Sequence, residues 1–259
     1  MSAGSENKIY TLIKFLHRAI LPTVNKLTEP LRTLNMQKRR VRILAETRGL
    51  LTREGYEAIN LRDLARLAEV TVPTIYNLIG NKEEVMIALF SEVLTEIEAR
   101  ITSGSAAEPL ALAEAVVLES IGLFQEDENF YRSAFLAVEY LDQSGPNHDK
   151  VSQVYAWGER LTTAGFIACR KARLLRGCIE PARLGELILR SYRMSCRAWA
   201  FGQLSLNEFR NRALGDVYIT LAADAVDIFH ALLQKKIATL AVAKPVIRSQ
   251  RARIKEHTR

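Results

Sequence analysis

Few residues in this chain have the types and spacing that catalysis or metal binding requires. The sequence has no glycine-rich phosphate loop, no dinucleotide-binding glycine motif and no Gly-x-Ser-x-Gly motif around a nucleophilic serine. Its four histidines are scattered, and none has a second ligand at the spacing of a metal site. We therefore expect no enzymatic activity, no metal and no cofactor.

Polar side chains that could contact nucleic acid are concentrated in two short helices that follow each other closely. Asn60 is predicted to cap the first helix, because Asp63 stands where it can reach back to the cap. Thr71 is predicted to cap the second, and Pro73 is tolerated in its first turn because the missing N–H has no helical partner there. Two short helices joined by about three residues indicate a helix-turn-helix, whose second helix can enter the major groove of DNA.

The elements that position these two helices are predicted to be helical as well. Only 13 Gly and 7 Pro interrupt 259 residues, and no stretch alternates apolar and polar residues for long enough to form a convincing strand. Hydrophobic residues make up 48% and charged residues 25%, which excludes a mainly disordered or collagen-like chain. We predict an all-α fold, with three helices within residues 38–80 and further helices over about 82–102, 109–125, 128–143, 148–176, 181–203 and 206–240.

The net charge of +7 is concentrated at the two ends of the chain. Residues 1–40 carry 8 basic and 2 acidic groups and residues 235–259 carry 8 and 1, whereas residues 81–234 carry 15 and 21. This asymmetry indicates an anionic partner near the termini, either nucleic acid or a membrane surface, and two solvated basic tails are the alternative. An amphipathic helix predicted over residues 9–20 favours a rival function, a membrane-surface or protein-interaction scaffold.

A specific pattern occupies the predicted helix-turn-helix and its surroundings. Gly55-Tyr56 and Leu61-Arg62-Asp63-Leu64-Ala65 precede Thr74-Ile75-Tyr76, and Lys82-Glu83-Glu84 begins six residues after Tyr76. Over roughly residues 38–86 this pattern resembles the DNA-binding domain of TetR-family transcriptional regulators. Trp199 and Gly202 more weakly resemble a later motif of that family. The resemblance implies an all-helical homodimer with an N-terminal domain that reads DNA and a C-terminal domain that binds a small effector.

The sequence departs from the family pattern at three places. Glu69 stands where the family usually has Gly in the turn, so its backbone is strained if the turn needs a positive φ. Pro73 replaces a frequent Gly, and Leu78-Ile79 replace a usual polar-aromatic pair. These departures concern the DNA contacts rather than the fold.

The resemblance assigns DNA contacts position by position. Tyr76, Lys82 and Asn60 match positions that usually touch phosphates, and further phosphate contacts could come from Arg39, Arg40, Arg42 and Arg62. Val72 and Pro73 have no hydrogen-bonding side-chain group, so they would recognise a base by apolar contact, for example with a thymine methyl group. The alternative is that Tyr76 packs in the core and that Lys82 is a solvated charge. The predicted DNA-binding residues are Arg40, Asn60, Arg62, Thr71, Val72, Pro73, Thr74, Tyr76, Asn77 and Lys82.

Apolar and hydroxyl side chains of the later helices are the candidates for the effector site that the resemblance implies. The helix predicted over residues 148–176 contains Gly158 and Gly165, each of which costs about 1 kcal/mol relative to Ala. A neighbouring helix or a ligand that comes close would explain them. Mostly apolar walls suit a small apolar effector, and ordinary core packing is the alternative. The predicted effector contacts are Phe124, Tyr131, Phe135, Tyr155, Phe166 and Met194.

The last predicted helix has an apolar stripe that includes Leu214, Tyr218 and Leu221 and continues to Ile228 and Leu232. The resemblance implies a four-helix dimer interface made by this helix and the one before it. The core of a monomer would use the same stripe, so the sequence leaves both possibilities open.

We predict four parts of the chain. They are an N-terminal extension with an amphipathic helix over 1–36, a helix-turn-helix DNA-binding domain over 37–82, a helical effector-binding and dimerisation domain over 83–240, and a basic tail over 241–259. A cytoplasmic location is expected, because three cysteines are an odd number that suits a reducing compartment and no apolar run of 18 residues is present. The expected function is that of a homodimeric repressor that binds a palindromic double-stranded operator, releases it when a small apolar effector binds, and does not associate stably with membranes.

Overall fold

A computed structural model of the chain describes residues 31–104, 108–143 and 148–241. Those residues form ten α-helices, and the only β contact among them is an isolated bridge between Leu175 and Ala225. In chain order the helices are α1 (Leu31–Ala58), α2 (Leu61–Leu67), α3 (Val72–Leu78), α4 (Lys82–Ser103), α5 (Pro109–Glu126), α6 (Glu128–Gln143), α7 (His148–Lys171), α8 (Pro181–Ala200), α9 (Leu206–Ala222) and α10 (Asp227–Ala241). The predicted all-α fold is confirmed. The predicted helix at 9–20 and almost all of the basic tail lie outside the described residues.

Short polar side chains start the three helices around the helix-turn-helix, as the sequence predicts. Asn60 Oδ1 accepts a backbone N–H of α2 at 2.9 Å, and Thr71 Oγ1 accepts one of α3 at 3.3 Å. Asn81 and Glu84 form a capping box at the start of α4. Each cap stabilises its helix by about 1 kcal/mol, because it satisfies an N–H group that has no helical partner.

The prediction of a single helix over residues 206–240 is wrong, because α9 and α10 are separated by a turn. Asp224 in this turn is 1% exposed, and its carboxylate accepts the N–H groups of Gly177 and Cys178 at 3.0 and 2.9 Å. The turn therefore anchors the loop that follows α7, and a helix that continued through residue 224 would leave these two N–H groups without that partner.

Two other helices end earlier than predicted. α7 ends at Lys171 rather than at residue 176, and Arg173 just beyond it has φ +59°, which is outside the helical region. α8 ends at Ala200 rather than at residue 203, and Gly202 has φ +73°. Positive φ values at these two positions stop the helices.

The chain forms two compact units. Of the described residues, the first unit comprises 31–104, 127–143 and 148–154, and so contains α1–α4, α6 and the first turns of α7. The second comprises 108–126 and 155–241, and contains α5, the rest of α7 and α8–α10. This division does not follow the predicted boundary after residue 82, because α4 and α6 pack with α1. The four-part organisation stays a prediction.

In the first unit, charged and aromatic side chains hold α1 against α6. The Arg48 guanidinium lies 3.9 Å from the centre of the Phe130 ring and 3.6 Å from the Asp127 carboxylate. The ring centres of Tyr56 and Tyr140 are 5.8 Å apart. A partly buried cation–π contact of this kind contributes about 1 kcal/mol. These contacts give the helix-turn-helix a fixed support.

In the second unit, two glycines permit close packing around α7. A Cβ at Gly165 would lie 2.3 Å from the Ala113 Cα of α5, so the backbones of the two helices would have to separate. A Cβ at Gly158 would lie 3.2 Å from the Leu189 side chain of α8. The backbone of a neighbouring helix therefore explains Gly165, whereas only a flexible side chain of α8 lies close to Gly158.

The second unit also encloses a buried carboxylate. Glu114 of α5 accepts a hydrogen bond from the Tyr218 O–H of α9 at 2.7 Å and one from the Lys236 ammonium of α10 at 2.9 Å. Burial and the hydrogen bond to Glu114 raise the pKa of Tyr218 well above its usual value. The three side chains tie α5, α9 and α10 together.

Two further features concern only the described residues. None of their helices combines the length and the apolar character that a membrane crossing requires. They also contain no group of three or more His, Cys, Asp or Glu side chains that could hold a metal ion.

Candidate nucleic-acid interface

The corner between α2 and α3 is built on buried apolar side chains. Leu64 and Ala65 of α2 and Ile75 of α3 are buried, which fixes the two helices against each other and against α1. Glu69 in the turn has φ +54°, a left-handed conformation that is strained for any residue with a Cβ. Its carboxylate accepts a hydrogen bond from the Arg42 guanidinium of α1 at 2.6 Å. Glu69 therefore has the positive φ that would strain the turn, and its ion pair with Arg42 ties the turn to α1.

The side of α3 away from the buried Ile75 is open to solvent. Thr71 at its N-cap, Pro73, Tyr76 and Asn77 are exposed, and Val72 and Thr74 are partly exposed. Tyr76 is 55% exposed, so the alternative that it packs in the core is wrong. The structure therefore brings six of the predicted DNA-binding residues onto one accessible surface.

Lys82 is held at the start of α4 rather than projecting freely into solvent. Its Nζ donates to the Glu57 backbone oxygen at 3.2 Å and lies 4.3 Å from the centre of the Tyr56 ring. Burial, followed by the charges of Glu83 and Glu57, raises the pKa of Tyr56 to about 12, so the ring facing Lys82 stays neutral. An ammonium has three hydrogens, so Lys82 keeps hydrogen-bonding capacity beyond its contact with Glu57.

Asn60 uses both ends of its side-chain amide in the cap of α2. Oδ1 accepts the Asp63 N–H at 2.9 Å, and Nδ2 donates to the Asp63 carboxylate at 2.6 Å. Hydrogen bonds from Asn60 and Arg66 lower the pKa of Asp63, so this carboxylate is charged at neutral pH. A phosphate beside Asn60 would have to approach that charge, which weakens the case for the predicted contact.

The arginines of this region differ in their surroundings. Arg40 Nη1 donates to the Leu78 backbone oxygen at 3.3 Å, which satisfies a carbonyl at the end of α3 and joins α3 to α1. Arg62 is exposed on α2. The positioning role of Arg40 was not predicted, because its partner is a backbone carbonyl 38 residues away and no local pattern marks it.

An open groove of about 540 Å³ lies between α1 and α3. It is lined by Asn35, Met36 and Arg39 of α1 and by Thr74, Asn77 and Leu78 of α3. We call it the α1–α3 groove. No sequence pattern marks Asn35 and Met36, because they precede the residues that carry the family pattern. The basic run that begins at Lys38 is the nearest signal.

The predicted effector contacts are divided between the two units. Tyr131 and Phe135 are buried in the first unit, and Phe124 and Phe166 are buried in the second. The Phe124 ring stacks on the Trp199 ring with centres 4.9 Å apart, so it forms part of the core of its unit.

The other two predicted contacts lie nearer the surface of the second unit. The Arg193 guanidinium is 3.4 Å from the centre of the Tyr155 ring. Met194 is 65% exposed, so it is not among the buried apolar side chains of its unit. No sequence pattern marks Trp157 of α7, whose buried indole N–H has no hydrogen-bond partner among the described residues. The effector site stays a prediction.

The helix-turn-helix lies in a region of the chain that matches a known protein family. Residues 43–89 match the family model for bacterial regulatory proteins of the tetR family. The HTH-type transcriptional repressor KstR of Rhodococcus jostii (strain RHA1) is 28% identical over 111 residues, which are 42% of this chain and 52% of KstR. The chain therefore spans about half the length of this curated relative.

Solved structures share the fold at low sequence identity. A TetR transcriptional regulator from Rhodococcus sp. RHA1 matches with a TM-score of 0.56 at 13% identity, over 71% of this chain and 96% of that one. FadR from Bacillus subtilis, solved in complex with stearoyl-CoA, matches with a TM-score of 0.56 at 15% identity, over 70% of this chain and 97% of that one. At such identities the likeness establishes the fold.

Proposed function

We propose that this chain, which carries the DNA-binding domain of the tetR family, is a sequence-specific transcriptional repressor that releases its operator when a small apolar effector binds. The observation that carries the proposal is the exposed face of α3, which rests on the buried corner with α2 and on α1. We assign the chain no catalytic activity. KstR, the curated relative, is likewise named a repressor.

The side chains on α3 suit the reading of base edges in the major groove. The Asn77 amide can donate to and accept from one adenine, and the hydroxyls of Thr71 and Thr74 can serve as donor or acceptor. Val72 and Pro73 offer apolar contact to a thymine methyl group. Tyr76 carries a hydroxyl that can donate to a phosphate oxygen. The base contacts would give α3 its sequence specificity, and the phosphate contact would hold α3 in place on the DNA backbone.

We propose that the protein acts as a homodimer on a palindromic operator. The stripe residues Leu214, Tyr218 and Leu221 are buried within the second unit, so they are not free for a partner. Other apolar side chains of that unit are exposed, among them Ile228 at 89% and Leu232 at 45%, one turn apart on α10. Exposed apolar surface of this kind is typical of a subunit contact.

We propose an effector that combines an apolar chain with a hydrogen-bond acceptor, such as an acyl thioester. FadR, which shares the fold, is described in complex with stearoyl-CoA. The buried indole N–H of Trp157 has no partner among the described residues, which supports an acceptor on the effector, because a buried unpaired donor costs about 1–3 kcal/mol. The effector must prefer the state that does not bind DNA, since only such a preference shifts the population. A cytoplasmic location follows for a protein with this function.

Enrichment of random duplex DNA by the purified protein tests the proposed function. We expect recovery of a palindrome whose half-site centres are about 10 base pairs, or a multiple, apart. Recovery of duplexes in which no sequence motif is enriched over the input library would refute the function. Acyl-CoA should then release the enriched duplex, whereas coenzyme A alone should not; no release by acyl chains of any length would refute the effector class and leave the repressor in place.

A further inference from the structure

One side of α1 is largely apolar, and none of the described residues covers it. Its members follow each other at intervals of four, three and four residues, which places them along a single side of the helix, and all of them are exposed. Leu34 is 41% exposed and Val41 is 63% exposed, although the opposite side of α1 is buried in the core of the first unit. We call this side the outer α1 face, and it comprises Leu34, Lys38, Val41 and Ala45.

The α1–α3 groove does not use the outer α1 face. On α1 the groove is lined by Asn35, Met36 and Arg39, which lie on a different side of the helix. A helix side that faces only water is ordinarily polar, and the long stem of Lys38 is itself apolar. The outer α1 face therefore has the composition of a surface that another apolar segment covers.

A segment of the same chain has the matching pattern. It precedes α1, lies outside the described residues, and repeats the intervals of four, three and four residues with large apolar side chains at Ile9, Ile13, Leu16 and Ile20. As a helix, this segment and the outer α1 face would each span about 16 Å from the first apolar position to the last. A short amphipathic helix is stable only when another element covers its apolar side, so each surface lacks what the other offers.

The connection between the two surfaces is long enough for the chain to reverse its direction. Residues 21–30 separate Ile20 from the start of α1 at Leu31. A connection of that length reaches up to about 33 Å, whereas packed helices lie about 8–10 Å apart. Pro22 ends a helix that precedes it, and Pro30 suits the start of the next one. Consecutive helices joined in this way pack antiparallel to each other.

We propose that residues 9–20 form a helix that packs antiparallel on the outer α1 face, as an additional helix of the first unit. The register that matches all four positions places Ile20 beside Leu34, Leu16 beside the stem of Lys38, Ile13 beside Val41, and Ile9 beside Ala45. The tether keeps the segment beside α1 at a concentration on the order of millimolar, which favours it over another molecule. Lys14 and Arg18, on the other side of the segment, then face solvent.

Disulfide formation in the full chain tests the proposed register. Exposed Cys178 is first replaced by Ser, which leaves the buried Cys169 and Cys196. Two double variants are then compared under mild oxidation, Ile13→Cys with Val41→Cys and Thr11→Cys with Val41→Cys. Thr11 is the matched control, because its tether to α1 is almost the same but it lies on the polar side of the segment.

We expect the Ile13 pair to form an intramolecular disulfide at least about tenfold faster than the Thr11 pair, because a disulfide requires Cα atoms within about 7 Å of each other. A tethered segment that does not dock would reach position 41 at nearly the same rate from both positions.

Protection of the outer α1 face gives an independent measurement. In the Cys178→Ser chain, the thiol introduced by Val41→Cys should react with a maleimide about tenfold more slowly than the thiol introduced by Arg53→Cys, since Arg53 is exposed on α1 beyond the outer α1 face. Adding Ile13→Asp should abolish this protection, because docking would bury an unpaired charge, whereas adding Thr11→Asp should preserve it.

Four results would overturn the inference. Equal oxidation rates of the two double variants would refute the register, and equal labelling with Ile13→Asp and Thr11→Asp would refute the docking. A disulfide that joins two chains would assign the outer α1 face to a second copy of the chain instead. Protection that arises only when vesicles of anionic lipid are added would assign it to a membrane surface. None of these results depends on the proposed operator or effector.

Discussion

Single residues of the interface differ in how much of their polar capacity the folded chain already uses. Tyr76 and Asn77 are exposed on α3, whereas Asn60 is engaged on both sides of its amide and Lys82 is held by Glu57. A side chain that is already ordered loses less entropy on binding, but it must exchange an existing partner or share it. Tyr76 and Asn77 should therefore contribute more to affinity than Asn60.

Removal of one hydroxyl from the interface tests this at Tyr76. Tyr76→Phe should weaken operator binding about tenfold, because a hydrogen bond to a charged group is worth about 1.5 kcal/mol. Tyr140→Phe is the control, since both phenols belong to side chains that are 55% exposed and only Tyr76 lies on α3. Fluorescence anisotropy of a labelled operator measures the operator affinity of both variants. Equal operator affinities of the two variants would show that the Tyr76 hydroxyl does not contact the operator.

The strained turn at Glu69 gives a second prediction at this scale. Glycine has no Cβ and accepts φ +54° without strain, so Glu69→Gly should be more stable to urea than Glu69→Ala by about 1 kcal/mol. Both variants remove a carboxylate from the interface and release Arg42, so both should bind the operator about threefold more tightly at low salt. Equal stabilities would mean that the turn stores no strain.

At the scale of elements, three helices support the reading helix. Leu64 and Ala65 of α2 are buried, α2 packs against α3, and Arg40 of α1 holds the last turn of α3. Arg48 and the Tyr56 ring in turn fix α1 to α6. A short helix of seven residues is marginal by itself, so α3 depends on these neighbours for its shape.

Helix packing in the second unit is tested by two glycines of one helix. Gly165→Ala should destabilise the protein by about 2–3 kcal/mol, because its Cβ would lie 2.3 Å from the backbone of Ala113. Gly158→Ala is the matched control. Its Cβ would meet only the flexible Leu189 side chain at 3.2 Å, and alanine's higher helix propensity offsets that contact, so its change should stay within about 1 kcal/mol. Thermal unfolding ranks the stabilities of the two variants. A Gly158→Ala variant less stable than Gly165→Ala would contradict the close approach of α7 to α5.

At the scale of the whole molecule, a repressor that reads a palindrome has to be a two-fold dimer. The apolar side chains with which the chain could meet a partner are not those of the predicted stripe, because that stripe fills the core of the second unit. Ile228 and Leu232, at the end of the same stripe, are the members that stay exposed.

Charge at this exposed apolar surface should dissociate the proposed dimer without unfolding the chain. We expect the double variant Ile228→Lys with Leu232→Lys to elute and scatter light as a monomer and to bind the operator at least about tenfold more weakly. Ile167→Lys, at a position on α7 that is 37% exposed, should remain dimeric. A monomeric wild type, or a double variant that stays dimeric, would exclude this surface as the subunit contact.

The predictable part of the fold and site came from interactions between residues close in sequence. The caps at Asn60, Thr71 and Asn81 and most helix starts depend on neighbours three or four positions away, so the sequence alone revealed them. The break between α9 and α10 could not be predicted in this way, because Asp224 bonds to a loop 47 residues earlier.

The sequence by itself determined that the chain is all-helical and where its helix-turn-helix lies, because periodicity, capping and a family pattern are written in consecutive residues. Only the tertiary structure decided that Tyr76 faces solvent, that Lys82 is engaged and that the apolar stripe of α9 is core. It also placed Asn35 and Arg39 across a groove from Asn77. The reason is physical: exposure and partnership depend on which distant segments pack together, and the sequence pattern of one helix is the same whether its face meets the chain's own core, a second subunit or DNA.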